Sequence, residues 1–392
     1  MVNPLFAILI LSWLGTLLLV IVRPRWSRSV SRRSLILAML ACLSIRLVTA
    51  LLSGPSVDTG GYDYRVGQAL ASGQDIFSPH YVNQQNYIPF LVWWWAAIAR
   101  LTPNVWWFAF VIKAPALLAD VALVWYLMSP ARLGRGLGGW LLAINPISIA
   151  ITSILGQFDG VVVILLLMAV NNRDTNGRRA GILYGLSAAV KTWSAFFAPT
   201  VLLRTMSHRA WGYLIAGIAA VPLLCFGVYG LVYPAHVIDG MRRAFGYQNL
   251  PSDFGTAYLI SNSTAGAHLE SVLNLCAGLA VLVLALVGAR RQWSVWDAIA
   301  VGALTLCALS PSTSPQYLVW PVAFLLASAR YRAVAIYCTG LLLPLTIYMT
   351  ATGPRDHAVF IVGELTVVLV WAWLLLTAPR QADSPVHAAS AL

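Results

Sequence analysis

The amino-acid sequence predicts an all-α fold, a polytopic transmembrane helical bundle of about 11–13 spans, forming one domain over residues 1–378. Three observations predict it: hydrophobic residues make up 59% of the 392 residues, charged residues only 10%, and mean hydropathy is +0.77. A water-soluble domain of this length needs far more charge to cover its outside. Lipid accepts apolar surface but demands helices that satisfy their own backbone.

Apolar runs long enough to span fall near residues 3–22, 34–53, 106–128, 210–232, 267–288, 333–351 and 357–378. The first lacks a basic region before it and reads as a signal anchor rather than a cleaved leader. The net charge of +12 sits in short tracts between runs, at Arg23 to Arg33, Arg173 to Arg179 and Arg290 to Arg291. Basic residues that share no amphipathic face argue against a nucleic-acid partner and read as cytoplasmic loops. With those loops inside, residues 54–104 become a long first external loop. The consecutive Trp93, Trp94 and Trp95 then mark Tyr87–Leu101 as a helix lying along the outer membrane boundary.

The same charge rule takes Gly156–Gly160 and Ser310–Tyr317 to the outer side. It makes residues 180–203 either a hairpin of two short helices around Lys191 or one span with an external Arg204. Residues 233–266 form a second external loop, and 379–392 a polar, disordered tail. The N-terminus is outside and the C-terminus inside, in what reads as a bacterial plasma membrane.

Only thirteen residues are acidic, so their placement is informative. Asp58, Asp63, Asp75, Asp159, Asp239, Asp253 and Asp356 all fall on or near the outer face. A carboxylate partly buried at the membrane edge has a raised pKa and serves as a general base for a hydroxyl. Asp58, a few residues past the second run and just after Gly54-Pro55, is best placed. Its competing structural role, open equally to Asp63, is to cap a helix over residues 62–72.

Charges inside apolar runs form the second signal. Arg46, Lys113, Asp120, Lys191 and Glu364 each cost roughly 2.5–3.5 kcal/mol at a helix centre unless partnered. Lys113 and Asp120, two turns apart on one face, are expected to be neutralised structurally through neighbouring helices. Arg46 and Lys191 are cations suited to a lipid-linked phosphate. The five cysteines and six histidines show no metal-ligand spacing, so neither a metal nor another cofactor is expected. A Walker-type loop is absent and no paired GxxxG array stands out, which argues against ATP coupling. A secondary transporter or flippase of lipid-linked saccharides is the rival class; it predicts two matching halves, which the sequence lacks.

Read in order, Arg46, Asp58, Tyr62, Tyr64, the stretch Ala69–Phe77 and Tyr87-Ile88-Pro89-Phe90 resemble the first luminal or periplasmic loop of GT-C fold glycosyltransferases. Four more stretches fit the same superfamily: Lys113 to Asp120, Asn145-Pro146 followed by Gly156-Gln157-Phe158-Asp159, Ala189-Val190-Lys191, and Ser310 to Trp320. The likeness is nearest to bacterial polyprenyl-phosphate-mannose-dependent mannosyltransferases and to the eukaryotic enzymes of glycolipid assembly. Phe77 stands where the pattern has Tyr, and Ile88 where it has Pro.

The resemblance implies inverting transfer of one sugar, mannose first, from a polyprenyl-phosphate donor to a lipid- or glycan-linked hydroxyl at the external face. Its partners are then that donor, a glycolipid or glycan acceptor, and membrane lipid. A different carried sugar, or glycan polymerisation, is the alternative within enzymes. The family's catalytic carboxylate falls on Asp58, with Asp63 as second choice. Arg46, Lys191, Arg242 and Arg243 become the cations for phosphate, and Gln157, Asp159, Gln316 and Tyr317 the sugar contacts. Tyr62 and His80, in the first loop, complete the substrate set, although His80 read alone is a solvated residue.

Overall fold

A computed structural model describes residues 4–22, 30–81, 87–245, 266–311, 313–350 and 357–377. Asp253, Asp356, the tail 379–392 and most of the loop 233–266 lie outside the described residues. Helices α1 (Pro4–Val22) and α2 (Arg32–Ser53) precede the short α3 (Tyr64–Ala71) and α4 (Pro89–Leu101) of the first loop. Helices α5 (Val105–Ile112) and α6 (Ala114–Met128) run on as one span, and α7 (Gly136–Ala143) and α8 (Pro146–Ile149) begin a bent one. Next come α9 (Asp159–Asn172), α10 (Gly177–Val190), α11 (Ala198–Leu202), α12 (His208–Val232) and α13 (Val237–Phe245). The bundle ends with α14 (Gly266–Arg290), α15 (Val295–Leu309), α16 (Val319–Ala327), α17 (Tyr331–Thr350) and α18 (His357–Thr377). Among the described residues there is no strand.

Seven of these segments are long and apolar enough to cross a membrane, and they coincide with the seven apolar runs of the sequence. The remaining passes are shorter because they are enclosed by neighbours. Helix α15 is buried over most of its length, as is α16. Between them the spans present a lipid-type exterior, with Leu11, Leu18, Leu224, Leu231 and Leu369 each more than 60% exposed.

The basic loops meet at one end of the bundle. Arg173 Nε donates to Arg204 O at 3.2 Å, Arg204 Nε to Trp293 O at 3.4 Å, and Arg330 Nε to Asp297 Oδ1 at 2.9 Å. Because Arg173 and Arg204 touch, the intervening chain must leave and return, so residues 177–202 form the hairpin around Lys191 and not a single span. Helices α10 and α12 approach backbone to backbone. A Cβ on Gly181 would collide with Tyr213 O, and one on Gly217 with Gly181 O. Gly177, Gly181 and Gly185 thus form a small-residue stripe of the kind that packs helices in lipid.

Helices α7 and α8 differ in direction by 44° at Asn145-Pro146. Proline has no N–H and ends the helix before it, which orphans carbonyls in a setting that offers no water. Arg46 helps to satisfy them, sharing Leu142 O with the Asn145 N–H at 3.2 Å. Its Nη1 donates to Ala143 O at 2.7 Å and its Nη2 to Leu142 O at 3.1 Å and Ser148 Oγ at 2.9 Å, while Nε pairs with Asp120 Oδ2 at 2.5 Å. Arg46 and Asp120 are both fully buried. Asp120 therefore takes its countercharge from α2, and Lys113 closes the end of α2 instead, donating to Ser53 Oγ at 2.9 Å and Gly54 O at 3.0 Å.

Of the tryptophan triplet, Trp93 and Trp94 are half-buried. Trp95 is only 2% exposed and packs edge-on against Tyr87, ring centroids 5.2 Å apart. The cause is Gly67 of α3, whose missing Cβ lets that helix close over the Trp95 backbone.

Removing one member of a buried ion pair leaves the other uncompensated. Arg46→Leu is therefore expected to cost about 3–5 kcal/mol, read as a lower unfolding temperature of the purified protein in lipid. Unchanged stability would contradict the pairing.

Candidate active site

The end opposite the basic loops is where the bent span delivers its polar turn. Ser56 caps a wide π-helical turn, Val57–Asp63, in a capping box with Thr59, and its hydroxyl donates to Leu155 O at 3.0 Å. Neither aspartate side chain acts as a cap: Ser56 caps the turn, and Asp63, at the N-cap position of α3, makes no capping bond. Gly156 ends the bent span at φ 78°, and a Cβ there would lie 2.5 Å from Thr59 Cγ2. Only glycine combines that left-handed backbone with this close approach. The turn so formed presents Gln157 to Asp58.

A hydrogen-bonded chain follows. Gln157 Nε2 donates to Asp58 Oδ2 at 2.7 Å, and Lys191 Nζ donates to Gln157 Oε1 at 3.0 Å and Asp159 Oδ2 at 2.7 Å. Trp320 Nε1 donates to the other oxygen of Asp159 at 2.6 Å. Five residues from four separate stretches of chain are thereby locked together. Lys191 occupies the apex of the hairpin with extended backbone, and Asp159 opens α9. Asp159 is wholly buried, whereas Asp58 is half-buried.

Burial pushes the Asp58 carboxyl above the ordinary aspartate range, while the bond from Gln157 and the charge of Lys191 pull it back. Asp63 is pushed well above that range, first by burial and then by the like charge of Asp58, with Lys191 again opposing. Two carboxylates near one ammonium thus resist ionising together.

A cavity of about 190 Å³ opens beside Lys191, and its lining includes Tyr87, Trp193, Tyr317 and Trp320 together with Asn274 and Ser310, whose side chains hydrogen-bond to each other at 2.6 Å. The Trp193 and Trp320 rings stack at 3.6 Å between centroids, and Tyr317 lies 4.3 Å from Trp320. Asp58 is not on the cavity wall. It connects to the wall through Gln157 and Lys191.

Of the residues singled out in the sequence, Asp58, Asp63, Gln157, Asp159, Lys191, Gln316 and Tyr317 come together at this end. Gln316 and Tyr317 line the cavity, whereas the Asp159 carboxylate is turned inward to Lys191 and Trp320. Arg46 does not join them, being held by Asp120 and the broken helix. Tyr62 is 45% exposed, and His80 is exposed against Tyr81. Arg242 is exposed beside Asp239, at 3.5 Å. Arg243 is half-buried on α13, and the two residues after it, Ala244 and Phe245, are the ones that reach the cavity. Tyr87 and Trp320 figure in the sequence only within family-like stretches, and Trp193 is not singled out, since an aromatic residue in an apolar run looks like any other core residue; Asn274 is not singled out either.

The all-α membrane bundle is consistent with the architecture of GT-C-type membrane glycosyltransferases, and the family match identifies the class. The chain belongs to glycosyltransferase family 87, whose profile matches residues 86–321, more than half of its length. The matched stretch holds Gln157, Asp159, Lys191, Gln316 and Tyr317, while Asp58 and Asp63 precede it. Neither a curated protein nor a solved structure matches the chain significantly.

An L-residue in the left-handed region costs roughly 1–2 kcal/mol, so Gly156→Ala should lower the unfolding temperature. Gly61→Ala, where a Cβ meets nothing within 4 Å, should not. Equal effects of the two would contradict the close contact at Thr59.

Proposed function

We propose that this glycosyltransferase moves a single hexose, mannose first, from a polyprenyl-phosphate donor to a hydroxyl of a glycolipid or glycan, with inversion. The observation that carries the reading is the chain from Asp58 through Gln157 to Lys191. It couples a carboxylate of raised pKa to a cation on the wall of a cavity. Gln157 holds one oxygen of Asp58; among the described residues no donor reaches the other. That second oxygen takes the proton from the acceptor hydroxyl as its oxygen attacks the anomeric carbon. The bond from that carbon to the phosphate oxygen breaks, and the lipid phosphate leaves with its charge held by Lys191. Asp63 is the second candidate for the base.

The positive-inside rule supports the orientation. The loops carrying Arg173, Arg204 and Arg330 read as cytoplasmic, which turns Asp58 and the cavity to the outer face of a bacterial plasma membrane. A lipid-linked donor suits that side, where nucleotide sugars are not made.

The expected outcome is release of polyprenyl phosphate when purified protein in lipid is given polyprenyl-phosphate mannose and an extracted glycolipid acceptor. Asp58→Asn should abolish turnover and keep donor binding; full activity would move the base elsewhere. The base must be ionised to work, so activity should rise with pH along a limb lying above the usual aspartate range. Lys191→Met removes a charge that favours ionisation, and should move the limb of its residual activity to higher pH. A shift to lower pH would contradict the electrostatic role of Lys191.

A further inference from the structure

Helix α13 forms part of the cavity wall but is itself largely uncovered. Its last two residues, Ala244 and Phe245, line the cavity, and Thr192 Oγ1, next to Lys191 at the apex of the hairpin, donates to Ala244 O at 3.4 Å. Of the nine residues of α13, Gly240 and Ala244 are buried, while Ile238, Arg242 and Phe245 are more than half exposed. The joint before it is a natural hinge. Tyr233 leaves the helical region at φ −128° and ψ 68°, and Pro234 has no N–H with which to continue α12.

A polar contact bridges that hinge to the first loop. His236 Nδ1 donates to Asp75 Oδ2 at 2.8 Å. The other oxygen of Asp75 accepts from the Tyr229 hydroxyl at 2.8 Å and from Phe77 N at 3.0 Å, and Tyr229 is buried on α12. Asp75 is thus the fixed half of the contact, and His236, with its side chain 31% exposed, the movable half. Under the middle of α13 lies the Phe77 ring, so close that a Cβ on Gly240 would come within 2.6 Å of it. Phe226 and Tyr229 back that ring, with centroids at 5.8 and 5.0 Å. A contact beside a hinge sets the angle of everything after it. Phe245, nine residues beyond His236, lies about 13 Å further along the helix, so a tilt of roughly 20° would move it by roughly 5 Å. The cavity of about 190 Å³ is smaller than the roughly 300–1,000 Å³ of sites for drug-sized ligands. A lipid-linked sugar therefore needs the wall to move.

We propose that α13 is a hinged lid on the cavity, latched shut by His236 on Asp75, and that ligands reach the cavity when it lifts. Both latch residues act by position and touch no substrate. The lid is independent of which sugar or carrier the enzyme uses, so it stands or falls apart from the transfer reaction above.

The test uses cysteines already in the chain. Cys307 lines the cavity and reports its opening, while Cys42 and Cys338, fully buried on α2 and α17, report loss of the fold as a whole. The full-length protein in lipid nanodiscs is treated with N-ethylmaleimide at a single pH, and labelled cysteines are assigned by peptide mass spectrometry. His236→Leu should label at Cys307 roughly tenfold faster than wild type, the effect of losing a hydrogen bond to a charged group, with Cys42 and Cys338 left unlabelled. His236→Gln, whose amide can still donate to Asp75, should stay close to wild type. Gly240→Ala, which pushes α13 off Phe77 without touching the latch, should also speed labelling of Cys307. The lid is overturned if Cys307 in His236→Leu reacts at the wild-type rate, or reacts faster only together with Cys42 and Cys338. Should that variant not fold, Gly240→Ala decides by the same two criteria.

Discussion

The structure depends on the buried pair of Arg46 and Asp120. A membrane bundle has no water with which to satisfy a broken backbone, so a span that bends at Asn145-Pro146 needs donors brought from elsewhere. Arg46 supplies them from α2 to the carbonyls of Leu142 and Ala143, and Asp120 on α6 holds the guanidinium while accepting from Ser148 and Thr152. A lysine, with a point charge and no planar fork, could not serve all of these acceptors together. The bend in turn sets where the span ends. Gly156 falls against Thr59, and the turn after it puts Gln157 and Asp159 between Asp58 and Lys191.

The same economy of charge governs the site. Lys191 and Asp159 form a buried ion pair at 2.7 Å, which is weak evidence for stability because desolvation offsets most of the attraction. Its value is geometric. The pair fixes an ammonium at the apex of a hairpin, where α10 alone would leave a long, freely rotating side chain. Trp320 on the second oxygen of Asp159 removes the remaining freedom of that carboxylate. Asp58 stands apart in kind: half-buried, joined to one amide, and pushed toward its neutral form by burial. A fixed, fully paired acid and a labile, singly bonded one suit different tasks, the first to hold and the second to exchange a proton.

Much of this was legible in the sequence, and what was not has a physical reason. Hydropathy locates the seven long spans because each contacts lipid over much of its surface. Charge locates the basic end, because loop charge is a property of short stretches of chain, but it leaves residues 180–203 open between a hairpin and a single span, and the contact of Arg173 with Arg204 decides for the hairpin. The candidate residues Asp58, Asp159 and Lys191 stand out in the sequence as charges in unusual places, and Gln157 enters through the family resemblance. Their pairings do not stand out, since Asp58 and Gln157 are 99 residues apart and Asp159 and Trp320 are 161 apart. The expectation that Asp120 is neutralised by a neighbouring helix is met by Arg46 of α2, but which helix supplies the countercharge is decided by packing and not by spacing along the chain. The capping of the π-helical turn by Ser56 was overlooked for a simpler reason. Two aspartates nearby offered equally good caps, and only the fold decides which residue precedes the helix.

The proposed contact of donor phosphate with Lys191 and the proposed base Asp58 are tested most directly by an electron cryo-microscopy structure with a polyprenyl phosphonate analogue of the donor sugar. The predicted result has a phosphonate oxygen about 2.7–2.9 Å from Lys191 Nζ, with the anomeric carbon turned toward Asp58. A head group bound among the arginines of the opposite end, or one whose anomeric carbon faces away from Asp58, would contradict it.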